Sequence, residues 1–163
     1  MPYPTPADTF VDLLSHYPPQ AQAWVRSASP NLQLSGIINF YQTQYGGVLV
    51  EAEVFNLPNV NTPQSTQFYG MHIHEYGDCS HQFQNTGNHF NPSGQEHPDH
   101  LGDLPPLFGN QGYAYSVFYD KRFTLEQIIG KSIIIHSQRD DFTSQPSGDS
   151  GTKIGCGVIQ AYR

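Results

Sequence analysis

The segment from Gly47 to Leu57 alternates between two kinds of side chain along its length. One face carries the small apolar residues Val48, Val50, Ala52 and Val54, and the other carries Leu49, Glu51, Glu53 and Phe55. A period of two is the signature of a β-strand with one face in a core. Because such a strand needs neighbours to pair with, this segment predicts a sheet.

Six further segments have the composition of strands and are separated by turn residues. They span residues 21–27, 32–42, 67–75, 111–120, 132–137 and 154–162. Tyr45-Gly46-Gly47 is a hairpin turn signal, and residues 58–66 form a polar loop. Gly and Pro are plentiful, at 15 and 13 residues, and only 13% of the chain is charged. This mixture favours strands joined by turns, and 163 residues suit one domain, so we predict a single all-β domain.

The first twenty residues have a different pattern. Four apolar residues are spaced for one face of a short helix, namely Phe10, Val11, Leu13 and Leu14. Pro18-Pro19 would end that helix. The chain is therefore predicted to consist of a helical N-terminal arm at residues 1–20 and a domain at residues 21–163.

Charge and the N-terminal sequence limit the partners and the location. The formal net charge of −7, with no Lys/Arg run, argues against binding to nucleic acid or an anionic membrane surface. The N-terminus has neither a basic start nor an uninterrupted apolar run, so it predicts no secretory signal and no membrane span. A cytoplasmic location follows if Met1 is the natural start. A mature secreted form with an added Met would look the same.

Two long stretches lack periodicity and are expected to carry the chemistry. The first runs from Tyr76 to Asn110 and the second from Gln138 to Lys153, with a brief helical turn between them at Leu125 to Ile129. Loops of this length in a compact domain are usually functional.

Six of the eight histidines are placed as metal ligands would be: His72, His74, His89, His97, His100 and His136. His72 and His74 are two apart on a strand, so they leave the same face. The run from His97 through His100 to Asp103 offers the nitrogen and oxygen donors that zinc accepts. The residues alone favour a metal site and leave the metal and the reaction open. His16 and His81 fall outside this pattern, and His81 is predicted to be a solvated loop histidine.

The two cysteines, Cys79 and Cys156, are far apart in the chain. By themselves they predict either one disulfide that closes a long loop or two buried thiols.

Several motifs resemble the copper/zinc superoxide dismutase family. The two leading ones are GMHIHEYGD at residues 70–78 and GNHFNP at residues 87–92. GIINF, HLGDL, IIIHSQRDD and GCGVI are also present, each at its place in the family's order, and the resemblance covers the chain from Ala21 onward. It implies an eight-stranded Greek-key β-barrel, an immunoglobulin-like sandwich, with long metal-binding and electrostatic loops. The eighth strand would be a short one after Asp103.

The resemblance also implies a set of metal ligands. Copper would be bound by His72, His74, His89 and His136. Zinc would be bound by His89, His97, His100 and Asp103, with His89 shared. The implied enzyme is a superoxide dismutase, an oxidoreductase that converts two superoxide anions and two protons to dioxygen and hydrogen peroxide. Copper would cycle between Cu(II) and Cu(I), zinc would be structural, and His89 would carry a proton.

Four further residues gain roles from the resemblance. Asp140 would link a copper histidine to a zinc histidine, and Cys79 and Cys156 would form a disulfide, although Cys79 lies farther before His89 than is usual. Lys153 stands where the family has an arginine that attracts superoxide, so it should keep the charge while orienting the anion less well.

The resemblance leaves open whether the protein is catalytic and whether it forms a homodimer. The alternative to an enzyme is a non-catalytic copper/zinc-binding barrel for copper delivery or storage. Copper-transfer proteins typically expose CxxC or CxC pairs, and this chain has neither.

Overall fold

The computed structural model describes residues 4–58 and 66–163. Residues 1–3 of the predicted arm and 59–65 of the predicted polar loop lie outside the described residues. The helices are α1 (Pro6–His16) and α2 (Leu125–Ile128). The described strands are β1 (Ala21–Ser27), β2 (Ser35–Gln42), β3 (Val48–Phe55), β4 (Phe68–Tyr69), β5 (Met71–His74), β6 (Leu107–Phe108), β7 (Ala114–Asp120), β8 (Ser132–His136) and β9 (Lys153–Ala161).

Seven of these strands form one curled antiparallel sheet in the order β5-β8-β9-β1-β2-β3-β7, and β4 pairs with β6. The neighbours β3 and β7, and β5 and β8, are not consecutive, so long connections carry the chain across the barrel in a Greek-key manner. The predicted all-β fold class is confirmed. The short strand predicted after Asp103 is β6, and the predicted turn at Leu125 is α2.

The strand predicted at residues 67–75 is in fact two strands, because the chain changes partners at Gly70. Phe68 and Tyr69 pair with β6, whereas Met71–His74 pair with β8. The Gly70 peptide lies between the two pairings: its N–H donates to the carbonyl of Gln138 at 2.9 Å, and its carbonyl accepts from the N–H of His136 at 2.8 Å. Gly70 therefore joins the start of β5 to the end of β8.

The core lies inside the barrel, and the predicted alternation of β3 places its apolar face there. Val48, Val50, Ala52 and Val54 are fully buried. On β5, Met71 and Ile73 enter the same core, which leaves His72 and His74 on the opposite face. The barrel thus presents two histidines outward, where the long loops bury them.

The N-terminal arm forms the predicted helix, with a different packed face from the predicted one. A capping box between Thr5 and Asp8 starts α1. The ring of Phe10 packs against Tyr119 at 5.0 Å and against Tyr45 at 6.1 Å. Val11 is 62% exposed, so its inclusion in the packed face was wrong. Its position turns it away from the Phe10 contact, because neighbouring helix residues point in different directions. The division of the chain at residue 20 stays a prediction.

Within the described ranges, neither helix is long and apolar enough to cross a membrane.

Candidate metal centre

Three of the predicted ligands come from strands of the barrel. His72 and His74 lie on β5, and His136 ends β8, which pairs with β5. A shift in register between Ile135 and His136 interrupts the pairing of β8 with β9, and His136 then lies opposite Lys153. Irregularities of this kind in a strand pairing are frequent next to functional sites, where they change the direction of a side chain. All three histidines are buried.

The other four predicted ligands come from the first long loop, which folds back onto β5. His89 forms a backbone bridge with His74, and Asp103 forms one with His72. His97 and His100 are also buried, so all six histidines and Asp103 are brought together. His81 is exposed, as predicted, and so is His16.

A disulfide fastens this loop to the barrel. Cys79 and Cys156 are bonded, with their Cα atoms 5.8 Å apart, which confirms the predicted pairing. Cys156 lies in the middle of β9, and the buried ring of Phe83 packs beside it. The loop is thereby held against the strand that carries Lys153.

The donor atoms form two adjoining clusters. Those of His72, His74, His89 and His136 lie within 4.8 Å of one another, and so do those of His72, His89, His97 and Asp103. The second cluster contains His72 in the place where the sequence predicts His100. The Nδ1 atom of His100 nevertheless lies 3.4 Å from Nδ1 of His89 and 3.2 Å from a carboxylate oxygen of Asp103.

Asp140 sets the ring orientation of one histidine in each cluster. Its two carboxylate oxygens lie 2.8 Å from Nε2 of His72 and 2.7 Å from Nε2 of His97. Burial acts to raise the pKa of Asp140, but the hydrogen bonds from these two rings lower it to about 2. An ionised carboxylate can only accept, so both Nε2 atoms carry a proton, and in a neutral ring the Nδ1 atom then keeps a lone pair.

The remaining free nitrogens point to bound cations. Among the described residues, the buried ring nitrogens without a hydrogen-bond partner are His72 Nδ1, His89 Nε2 and His97 Nδ1, the last of which lies 2.9 Å from a carboxylate oxygen of Asp103. His74 donates from Nδ1 to the carbonyl of Gly87 at 3.0 Å, and Nδ1 of His136 faces the carbonyl of Gly151 at 3.5 Å. With both protons on Nδ1, the Nε2 lone pairs of these two rings face each other at 3.3 Å. Opposed lone pairs and unpartnered buried nitrogens are costly unless a cation lies between them. The residues therefore fit two metal ions.

The imidazoles of the first cluster give the metal-free protein a pH-dependent stability. Burial and neighbouring rings lower the pKa of His74 to about 2 and that of His136 to about 3. An unfolded chain protonates both near pH 6.5, so the stability is complete above that pH and is lost as pH falls toward these values. We expect the free energy of unfolding to fall by about 1.4 kcal/mol per pH unit for each imidazole.

Urea unfolding of the metal-free protein between pH 7.5 and pH 4.5 measures this effect. In His136→Ala, the free energy of unfolding should change less steeply with pH, by the about 1.4 kcal/mol per pH unit that one imidazole contributes. Equal slopes in the two proteins would contradict the assignment.

A cleft of about 450 Å³ opens onto the first cluster. Its lining includes His74, His89 and His136, together with His100. Among the described residues that line it, Lys153 carries the one permanent positive charge and Glu75 the one carboxylate. A small anion that enters the cleft therefore meets Lys153 beside the histidines.

The sequence did not reveal how Lys153 is held. Its Nζ donates to the hydroxyl of Thr86 at 2.8 Å and to the carbonyls of Gly87 at 3.2 Å and Phe83 at 3.3 Å. Thr86 is fully buried and Gly87 also accepts from His74, so the loop connects the lysine to a ring of the first cluster. Two of the three acceptors are backbone carbonyls, which every residue carries and no motif distinguishes.

This barrel with two adjoining histidine clusters defines a metal-binding protein with a paired-cation site. Residues 34–159 match the family model described as copper/zinc superoxide dismutase (SODC). The chain belongs to the copper/zinc superoxide dismutase family. Copper and zinc are therefore the metals that its clusters are expected to hold.

Individual relatives agree with this membership. Superoxide dismutase [Cu-Zn] A of Xenopus laevis is 30% identical over 141 residues, which cover 77% of this chain and 89% of the relative. The extracellular superoxide dismutase [Cu-Zn] of Rattus norvegicus is 31% identical, over 78% of this chain and 55% of the relative. A crystal structure described as the clock protein EA4 superposes with a TM-score of 0.74 at 30% identity, covering 88% of this chain and 96% of that one.

Proposed function

We propose that this protein is a superoxide dismutase, which converts two superoxide anions and two protons to dioxygen and hydrogen peroxide. The observation that carries the proposal is the first cluster: four buried imidazoles converge there, and three of them line a cleft that also contains one ammonium group. A metal bound only for structure would be closed off, whereas this cleft gives a small anion access to it.

The donor sets of the two clusters support an assignment of the two metals. Copper would be held by His72 through Nδ1 and by His74, His89 and His136 through Nε2, because four imidazoles suit copper. Zinc would be held by His89, His97, His100 and Asp103, a donor set of three nitrogens and one oxygen. When bound, copper would supply the one-electron chemistry by cycling between Cu(II) and Cu(I), and zinc would hold the loop.

Two residues of the chain would act on the substrate. His89 belongs to both clusters, and its Nε2 would take up a proton when it is not bound to copper and release that proton to the departing product. Lys153 would draw the anion into the cleft by its charge. Its three N–H groups already have acceptors in the loop, so it would attract superoxide without a direct hydrogen bond.

The test is metal analysis together with a superoxide assay on the purified protein. We expect about one copper and one zinc per chain, and many superoxide ions consumed for each copper. The metal-free protein and the protein loaded with zinc alone should be inactive. Consumption of no more than one superoxide per bound copper would reject the enzyme and favour a copper delivery or storage barrel.

A further inference from the structure

Arg122 lies outside both long loops, yet it contacts the zinc-side segment of the first one. It occupies the turn between β7 and α2, next to Phe123, which is buried in the core. Its guanidinium donates from Nε and Nη2 to the two carboxylate oxygens of Asp120, at 3.1 and 2.8 Å. Its backbone N–H also donates to that carboxylate, at 2.8 Å. The guanidinium and the backbone of Arg122 are thus both fixed to Asp120, at the end of a barrel strand.

The other donors of the guanidinium reach the backbone of two proposed zinc ligands. Nη1 donates to the carbonyl of His100 at 3.3 Å, and Nη2 donates to the carbonyl of Asp103. One planar group therefore spans both ends of the segment from His100 to Asp103. A lysine could not do this, since its ammonium has no planar fork of donors.

The same segment is held from its other side by the backbone around β5. Gly102 donates its N–H to the carbonyl of Phe90 at 2.9 Å and accepts from the N–H of Ile73 at 2.8 Å. The four residues from His100 to Asp103 thus lie between β5 and Arg122. The hydrogen bonds from Arg122 and from the backbone around β5 all involve the main chain of this segment. The side chains of His100 and Asp103 therefore remain free to bind a metal.

Asp120 makes this arrangement compatible with a nearby cation. An unpaired guanidinium close to a divalent ion would weaken the binding of that ion by repulsion. Asp120 is nearly buried and is paired to Arg122 through both oxygens, so the pair is neutral overall. The arginine can therefore supply rigid hydrogen bonds at little electrostatic cost to the metal.

We propose that Arg122, held by Asp120, is a positioning residue that sets the spacing of His100 and Asp103 for zinc. This proposal rests on the zinc assignment made above. Its role is to fix ligands in place, so its loss should change the affinity for zinc more than the stability of the barrel.

The experiment compares Arg122→Gln with Lys121→Gln, which removes the same charge from the adjacent, exposed position. Metal-free protein is titrated with zinc against a chromophoric chelator, and the affinity for the first equivalent is measured. We expect Arg122→Gln to weaken zinc binding by about 10- to 100-fold, as loss of a partner of a metal ligand typically does. Lys121→Gln should bind zinc like the wild type.

Melting of the metal-free proteins separates positioning from general stability. The melting temperature of Arg122→Gln should lie within about 4 °C of the control, a shift of roughly 1 kcal/mol. Unchanged zinc affinity in Arg122→Gln would overturn the proposal. If that variant does not fold, Arg122→Lys is measured instead, and it should still weaken zinc binding because the planar fork is lost.

Zinc binding and superoxide consumption by the wild type show which of the two proposals fails. If the wild type binds zinc but does not consume superoxide, the enzymatic proposal fails and the role of Arg122 stands. If the wild type binds no zinc, the metal assignment itself is wrong, and the role of Arg122 is rejected with it.

Discussion

Replacing His136 with Ala is expected to abolish superoxide consumption while the barrel still folds and still binds zinc. His136 belongs to the first cluster and not to the second, whereas His72 and His89 belong to both. Its removal leaves three nitrogens for copper and opens the base of the cleft. We expect turnover to fall by more than the roughly 100-fold that loss of an outer partner of a metal ligand costs.

Superoxide consumption per bound copper is the quantity to compare, because total activity would confuse loss of the metal with loss of function. His81→Ala is the matched control, since His81 is an exposed loop histidine outside both clusters. The control should keep wild-type turnover and both metals. A His136→Ala protein with turnover close to wild type would show that catalysis does not occur at this cluster.

The parts of the site that could be predicted are those set by local geometry. Residues two apart on a strand leave the same face, so His72 and His74 could be placed together from the sequence. The alternation of β3 likewise identified its buried face. The spacing of His97, His100 and Asp103 also indicated a donor set that suits zinc. The division of the ligands between two metals, with His89 shared, was assigned through a resemblance in motifs. Without that resemblance, the pattern of residues favoured a metal site and left the metal and the reaction open.

The parts that could not be predicted depend on contacts between distant backbones. The break of one predicted strand at Gly70 follows from its bonds to Gln138 and His136, far along the chain. The acceptors of Arg122 in the first long loop are carbonyls, which have no signature in the sequence. Sequence patterns describe side chains, so an interaction between a side chain and a remote main chain is invisible to them.

The first long loop adopts an ordered conformation for a physical reason that its composition does not reveal. His81, Gln82 and Phe83 are three successive non-glycine residues with positive φ, a conformation that costs energy at each. The disulfide, the buried Phe83 ring and the bonds from Lys153 hold this turn in place. Lys153 is therefore part of the structure of the loop as well as a charge in the cleft, and a test of its charge must separate the two roles.

Reversing the charge of Lys153 is expected to produce the second large loss of activity. Lys153→Glu puts a carboxylate beside Glu75 in a cleft that should attract an anion. Electrostatic steering changes association rates by about 10- to 1000-fold, so we expect kcat/KM for superoxide to fall by at least about tenfold. Lys153→Arg keeps the charge and adds a planar fork, and it should match or exceed the wild type.

Lys153→Gln and the salt dependence distinguish the charge from the bonds to the loop. Glutamine can still donate to a loop carbonyl but carries no charge, so its kcat/KM should lie between those of the wild type and Lys153→Glu. Added salt should slow the wild type and speed up Lys153→Glu, because ions screen attraction and repulsion alike, and the response of Lys153→Gln should lie between the two. The same salt response in all three proteins, with metal content equal, would show that Lys153 acts only by holding Phe83, Thr86 and Gly87 in place.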